Sequence, residues 1–475
     1  MKKSFLVLSV LIGCAARAIA QSYHAAYGSN YTSSINITNN PASAVTSPFK
    51  WDLTLFGTQL KSAGNVFIPS PSGFNPVNSI KPGAFARKAD FNFNTNVLNA
   101  RISLSSTRAI AFGANVRGYT RLRISSFNYA DTLTDITNFF LINPNVTSYN
   151  AKLTSSSWVE LFGTYSQTII DNGLDRINAG VTMKLSRGIS GGFARVQNVN
   201  ITQTAHTGGG VDYQLVSGGA AYGYSSNYDP WINDSTQTFK NFLKTSQAGI
   251  SFDFGLEYII RPQGVHTFYD EDESDYDYDW KIGLSLMDVG FNRYRYGLKS
   301  FQAVNPKANI TNTVLEQKFS SVSGMEEFRD SLSTLVNYAA GLGGIFTVIN
   351  PMRMILNVDR PLGKNFYING EASINLSPLA GDQRFYVQEL NFITVTPRWE
   401  TRNLGAYLPV QYNNAGKFWI GAAIKAGPLL AGVHNLSTAF SKERIQNGGG
   451  YVAIILHPWK KGEGRQHHQW DCPKN

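Results

Sequence analysis

The densest set of side chains able to do chemistry is Asp270-Glu271-Asp272-Glu273-Ser274-Asp275-Tyr276-Asp277-Tyr278-Asp279. Closely spaced carboxylates are what a hard cation takes as oxygen ligands, so Asp270, Asp272, Asp275, Asp277 and Asp279 form a candidate Ca²⁺ loop. The run lacks the central glycine and the distal glutamate of an EF-hand, and a solvated acidic loop explains it without a metal. Gly188-Ile189-Ser190-Gly191-Gly192 has the letters of a nucleophile elbow. That motif needs a strand–turn–helix context, whereas here it falls between two strand-like runs, where glycines suit a turn. The seven histidines show no ligand spacing beyond His467-His468, which lie with Cys472 in a polar tail. No phosphate-cradling loop and no paired-carboxylate site stands out, so no enzyme activity and no cofactor beyond the Ca²⁺ loop is expected.

A second set of charges is more informative by its placement. Gly249 to Arg261 puts Ile250, Phe252, Phe254, Leu256, Tyr258 and Ile260 on one parity and Ser251, Asp253, Glu257 and Arg261 on the other. Side chains alternate between the two faces of a strand, so this is a ribbon with one apolar and one polar face. Runs of this kind are long enough to cross an apolar layer roughly 25 Å tall at a tilt. The same alternation recurs in Lys50–Leu60, Phe91–Leu104, Arg108–Arg123, Arg176–Arg187, Asn365–Ser377 and Lys417–Gly427, among others. In all, roughly 14 to 16 strands are expected. The polar faces carry Arg117, Arg121, Asp253, Glu257, Arg353, Asp359, Glu371, Arg398 and Arg402. An Arg turned to lipid at mid-bilayer would cost on the order of 2–4 kcal/mol, so these charges belong inside a closed barrel. A soluble exported β-sandwich is the alternative; it would stack its apolar faces on one another in shorter strands.

Two irregularities break the pattern. Between Phe91 and Leu104 the apolar parity switches at Val97-Leu98, which fits a β-bulge and with it a local opening in the wall; a tight turn near Asn96 is the alternative. Ser323-Gly324-Met325-Glu326 resembles a capping box, with Met325, Phe328, Leu332, Leu335 and Val336 at helical spacing up to Tyr338, so one loop helix is expected there.

Composition agrees with a barrel. The chain has 16% charged residues, against roughly 25% in ordinary soluble domains, with 13% aromatics and 43 glycines. No run of 18 or more apolar residues follows the N-terminus, so helical spans are not expected. Residues 1–20 read as a signal peptide: Lys2-Lys3, an apolar stretch from Phe5 to Ala16, and Ala18-Ile19-Ala20 before Gln21. Leu11-Ile12-Gly13-Cys14 alternatively fits a lipobox. Ordinary cleavage would leave Cys472 as the single cysteine, which excludes an internal disulfide. Residues 21–48, ending in Asn39-Asn40-Pro41-Ala42, read as a non-strand segment able to act as a partial plug, residues 49–459 as the barrel, and 460–475 as a polar tail. The net charge of +10 is dispersed, which fits anionic lipid headgroups and lipopolysaccharide as contacts and gives no basic stripe for nucleic acid. A barrel of this kind also implies the outer membrane and the barrel-assembly machinery that inserts it.

A leader, a short non-strand lead ending in Asn40-Pro41-Ala42 and then a barrel resemble FadL-type outer-membrane proteins and relatives such as PorV. Gly283-Leu284-Ser285-Leu286-Met287-Asp288-Val289-Gly290, the helical stretch near 325–338, and Lys425-Ala426-Gly427-Pro428 with His434-Asn435-Leu436 are similar to an uncharacterised outer-membrane barrel family known only as a domain of unknown function. The resemblance implies about fourteen strands with an N-terminal segment near the lumen, and no reaction. It implies passage or binding of a small, in the FadL case hydrophobic, ligand, or a scaffold for a secretion or surface-assembly partner.

Overall fold

The structure, a computed structural model, describes residues 23–68, 79–133, 135–205, 211–230, 244–262, 278–363, 365–414, 417–437 and 447–458. The leader with Cys14, four of the five candidate Ca²⁺ carboxylates (Asp270, Asp272, Asp275 and Asp277) and the tail lie outside them. Strand segments join end to end into fourteen antiparallel staves of one closed barrel. They are β1 (Trp51–Gly64), β2 (Gly83–Ser103), β3 (Arg108–Tyr129), β4 (Ser148–Asp171) and β5 (Asp175–Ala205). Then come β6 (Val211–Tyr224 and Ala248–Ile260), β7 (Trp280–Arg295 and Phe301–Pro306) and β8 (Val336–Gly341, Ile345–Ile349 and Arg353–Gly363). The remainder are β9 (Phe366–Asn375), β10 (Phe392–Glu400), β11 (Leu404–Tyr407 and Val410–Asn413), β12 (Lys417–Ile420 and Ala422–Ala426), β13 (Leu429–Val433) and β14 (Asn447–Leu456). β14 pairs with β1 from Leu53↔Leu456 to Ala63↔Asn447, which closes the ring and leaves no sheet edge.

The alternation has the sign of a membrane barrel. On β6, Phe254, Leu256 and Tyr258 are exposed while Asp253 and Glu257 are buried. Leu161, Val181, Leu185, Leu356, Ile393 and Ile424 continue the outward apolar belt around other staves, and Trp51, Tyr258 and Trp280 edge it at the end that carries β1's start and β14's finish. Apolar side chains outside and buried polar ones inside invert the order of a soluble sandwich, so that alternative is set aside. At the same end most connections are short, such as 104–107, 172–174 and 427–428; the far end carries 130–147 with helix α2 (Ile136–Leu141), 307–335 and 376–391.

Three expectations change. The Gly188–Gly192 stretch is no turn: β5 runs unbroken from Asp175 to Ala205, and the stretch itself holds a register shift, with Ser190 opposite Ser157 and Gly188 opposite Trp158. A Cβ on Gly188 or Gly191 would lie 2.6 or 2.4 Å from the Tyr294 ring, so these glycines give the ring a flat seat inside the barrel. The loop helix is α4 (Met325–Thr334), preceded by α3 (Asn312–Phe319), and Val336 onward is strand because it pairs with β7. Its N-terminus is tied by Glu327, not Glu326: the Ser323 backbone N–H and hydroxyl donate to Glu327 Oε2 at 2.7 and 2.9 Å. The bulge between Asn96 and Leu98 is present, but β2 remains paired to β1 on either side of it and to β3, and the Tyr23 hydroxyl donates to Asn96 behind it at 3.1 Å. The wall is closed at that point.

Candidate functional site

The barrel encloses residues 23–49, which contain α1 (Ser33–Asn36) and a 3₁₀ turn at Pro41–Val45. Asn40 caps that turn, its side chain accepting from the Ala42 N–H at 3.0 Å, while its own amide donates to the Leu256 carbonyl at 3.0 Å. The plug meets the wall through two apolar clusters, Tyr23, Tyr27 and Ile35 against Leu430, Tyr451 and Ile455 and Ile37, Ala44 and Val45 against Ala109, Ala111 and Phe162, and through polar groups between them. His24 Nδ1 is 2.8 Å from Glu371 Oε1, and Asn39 donates to Glu371 Oε2 at 2.9 Å. The Ser29 hydroxyl donates to Glu400 at 2.7 Å, Thr46 to Glu257, and Ser285 of β7 to the Asn39 carbonyl at 2.6 Å. From β2, Arg101 donates to the carbonyls of Ala44 and Phe49 at 2.7 and 2.5 Å. Burial is the largest influence on His24 and lowers its pKa, with Glu371 opposing. Gly180 and Gly255 make room for the turn, since a Cβ at either would strike Pro41 or Asn40.

Above the plug lies a buried ionic network. Arg117 donates to both carboxylate oxygens of Asp288, at 2.5 and 2.8 Å, and Lys184 to Asp288 at 2.7 Å. Lys184 also pairs with Asp253 at 2.7 Å, Arg117 lies 3.6 Å from Glu160, and Arg353 pairs with Glu389 at 2.5 Å. Asp288 occupies the bulge where β7 shifts register between Leu286 and Val289, with φ +59°. Its N–H donates to Asp253 at 2.7 Å, so the bulge aims the carboxylate across the lumen. The gap left among Tyr27, Ile37, Arg117, Lys184, Asp253 and Arg353 measures about 20 Å³, room for about one water.

A third layer is aromatic. Tyr119, Trp158, Phe193, Tyr294 and Phe346 converge inside the barrel with Val348. Segment 376–391, between β9 and β10, folds inward to meet them: Phe385 stacks on Phe193 at 3.9 Å, and Val387 is fully buried in the same cluster. Phe385–Tyr386 adds a parallel pairing with Val348 and Ile349. An apolar place inside the lumen therefore exists, and this re-entrant segment fills it.

Eight of the nine charged residues expected inside do face the lumen. Arg117, Asp253, Glu257, Arg353 and Glu371 are placed as above. Asp359 and Arg398 form a buried pair at the plug's base, where Arg398 also donates to the Gly28 carbonyl at 3.1 Å and Tyr278 donates to Asp359 at 2.5 Å. Arg121 lies higher, over the Tyr386 ring at 4.7 Å. Arg402 is the exception: it occupies the 401–403 turn and packs over Phe49 at 5.0 Å, outside the ion-pair network. Of the Ca²⁺ candidates only Asp279 is described, and its N–H donates to the Ile260 carbonyl at 2.8 Å as β7 begins. Among the described residues no three His, Cys, Asp or Glu side chains gather to hold a metal. Sequence reasoning missed His24, Lys61, Glu160, Lys184, Asp288 and Glu389. Glu160 and Lys184 stand on the polar parity of recognised strands, and Asp288 marks a parity break from Leu284 and Leu286 to Val289 that signals its bulge.

Among solved structures, the chain is similar to a FadL homologue of Pseudomonas aeruginosa, with 9% identity over 92% of this chain and 98% of that one and a TM-score of 0.41. The toluene transporter TbuX of Ralstonia pickettii gives 9% identity over 89% and 92%, TM-score 0.37. TodX, a monoaromatic hydrocarbon channel, gives 9% over 90% and 94%, TM-score 0.40. Values this low carry no inference about ligand or mechanism. No curated protein sequence matches the chain. Residues 41–433 match the model of DUF5723, a family of unknown function, and the chain belongs to that family.

Proposed function

We propose that this protein is a non-enzymatic outer-membrane barrel that binds or passes a small ligand through its lumen, and that residues 23–49 are a displaceable plug. The observation that carries this reading is the run of separate hydrogen bonds that ties the plug to the wall beside its two small apolar clusters. Ser29, Asn39 and Thr46 donate to wall carboxylates and Asn40 to a carbonyl; exchanged for water, each costs about 1.5–3 kcal/mol where the partner is charged and about 0.5–1.5 kcal/mol where it is not. The two apolar clusters add roughly 25 cal/mol for each Å² that displacement uncovers, so the plug leaves only when a bound ligand or the loss of contacts offsets both terms. The aromatic layer around Phe193 and Phe346 supports an apolar part in the ligand, taking the place of Phe385 and Val387. The leader-like N-terminus and the outward apolar belt support an outer-membrane location.

Uptake of labelled small solutes into proteoliposomes tests the reading. Glu371→Gln combined with Ser29→Ala removes plug contacts without touching the outer belt, and is expected to raise uptake several-fold over the parent. Parent and variant taking up no solute at all, with both shown to be folded and inserted, would refute it.

A further inference from the structure

Four cations stand in one row on the lumen face toward the far end of the barrel. Lys88 of β2, Arg123 of β3, Lys152 of β4 and Arg195 of β5 are successive cross-strand partners in register. Arg121 stands one pair lower, opposite Asp90. Alternation turns the row to the same side as Asp90, Thr154 and Phe193, which are buried within the barrel. Like charges directly opposite on neighbouring strands repel, so four in register need a compensating partner.

The compensation inside the chain is incomplete. Asp90 accepts from Arg123 through both oxygens, at 2.8 and 2.7 Å. Lys152 and Arg195 find main-chain oxygens instead. Lys152 Nζ donates to the carbonyls of Asp382 and Arg384 at 2.8 and 2.9 Å, and Arg195 Nη2 to those of Asp382 and Gln383 at 2.9 and 3.2 Å. Other neighbours are neutral: Arg195 Nη1 reaches Gln383 and Gln197 Oε1 at 3.4 and 3.5 Å, Arg123 donates to the Ala89 and Leu122 carbonyls at 3.2 and 2.7 Å, Arg121 and Lys152 lie over the Tyr386 ring at 4.7 and 5.0 Å, and Arg195 over Phe385 at 5.3 Å. Among the described residues, Arg121, Arg123, Lys152 and Arg195 thus have two carboxylates acting on them, Asp90 and Asp382. A cation donating to a carbonyl already makes a charge-assisted bond; an anionic oxygen in the same place adds the attraction between opposite charges. Residues 381–384, which supply the carbonyls, are exposed and reachable from the far end.

We propose that this row is a binding site for a soluble oxyanion, a solute bearing phosphate or carboxylate groups, and that the carbonyls of 382–384 occupy the site as a built-in stand-in until it arrives. The row faces the lumen, so headgroups of the surrounding lipid do not reach it, and the anion comes from solution. Binding releases Asp382–Arg384 from Lys152 and Arg195 and gives those cations charged oxygens. This goes beyond ligand passage and is measured with the plug in place, so it stands apart from plug displacement.

The test uses the full chain in a neutral detergent, with inorganic phosphate and then citrate as probes against sodium chloride of equal ionic strength. Phosphate or citrate is expected to raise the thermal unfolding midpoint by several °C over chloride and to increase hydrogen exchange at the 382–386 amides. Lys152→Gln/Arg195→Gln is expected to weaken binding about tenfold or more, through loss of two charge-assisted contacts. Lys152→Arg/Arg195→Lys retains it, as does Lys318→Gln, which removes an exposed cation on α3. Should the double Gln variant fail to fold, Arg195→Gln alone is expected to weaken binding about threefold or more, by the same loss halved. Equal binding in the Gln variants and the parent, an effect matched by chloride, or binding that leaves exchange at 382–386 unchanged would each overturn the proposal.

Discussion

Replacing Asp288 tests the lumen network where it is most concentrated. The carboxylate receives two hydrogen bonds from Arg117 and one from Lys184, and all three side chains are buried. Removing one partner of a buried ion pair typically costs about 3–5 kcal/mol, because the remaining charge is left uncompensated. Here the cost falls at the lower end: Lys184 keeps Asp253 at 2.7 Å, and Arg117 keeps the Tyr119 hydroxyl at 2.6 Å and Glu160 at 3.6 Å. Asp288→Asn keeps the side-chain shape and tolerates φ +59°, so it isolates the charge and is expected to lose about 2–3 kcal/mol. Asp288→Ala adds roughly 1 kcal/mol more for a left-handed conformation that alanine disfavours. Adding Arg117→Gln to Asp288→Asn removes the orphaned cation, so the double variant should be about 2 kcal/mol more stable than the summed singles. The assay is urea unfolding of protein folded into lipid vesicles, followed by tryptophan fluorescence. Trp158, stacked on Tyr119 at 5.5 Å, reports from beside the network. A loss below about 0.5 kcal/mol for Asp288→Asn, the level of an ordinary surface change, would refute the reasoning, as would strict additivity with Arg117→Gln.

Gly191→Ala places a methyl 2.4 Å from the Tyr294 ring. It is expected to cost about 1–3 kcal/mol by overpacking in the same unfolding assay, and Gly191→Ala/Tyr294→Leu should recover much of it; an unchanged midpoint would show that the ring is not seated there. Acid should loosen the plug. His24 has a folded pKa below its ordinary 6.5, so as pH falls through that value the displaced state takes up the proton first. Stability is thus present above pH 6.5 and lost below it, by at most about 1.4 kcal/mol per pH unit for one group. Glu371 and Glu389 resist this loss, while Lys61 favours the neutral ring. Hydrogen exchange at residues 23–46, corrected for intrinsic rates, should be faster at pH 5.5 than at 7.5 in the parent and level in His24→Asn. Equal protection at both pH values in the parent would contradict the assignment.

How much of this was legible in the chain follows from the range of each signal. Alternation is local, and stretches such as Gly249–Arg261 and Arg108–Arg123 carry a period of two with charges on one parity, enough to define strands and their two faces. Their pairing partners fix the rest. Nothing near Gly188 or Gly191 says that the Tyr294 ring, more than a hundred residues away, lies on them, so glycines that read as a turn belong to an unbroken strand. His24 and Glu371 are 347 positions apart, and a lone histidine in a polar lead has no periodicity to mark it. Asp288 is intermediate: the parity break around it was on view, but its meaning depends on Arg117 and Lys184 reaching it from β3 and β5. The inward fold of 376–391 left no cue either, because Phe385-Tyr386 reads as the start of a strand and instead fills the aromatic layer.

Electrical recording in planar lipid bilayers tests the central claim most directly, that a closed barrel spans the membrane with a plug that can be displaced. The parent is expected to insert and remain electrically silent, and Glu371→Gln/Ser29→Ala to show discrete, reversible openings. A steady open pore in the parent, or permanent silence in a folded, inserted variant whose plug contacts have been removed, would contradict it.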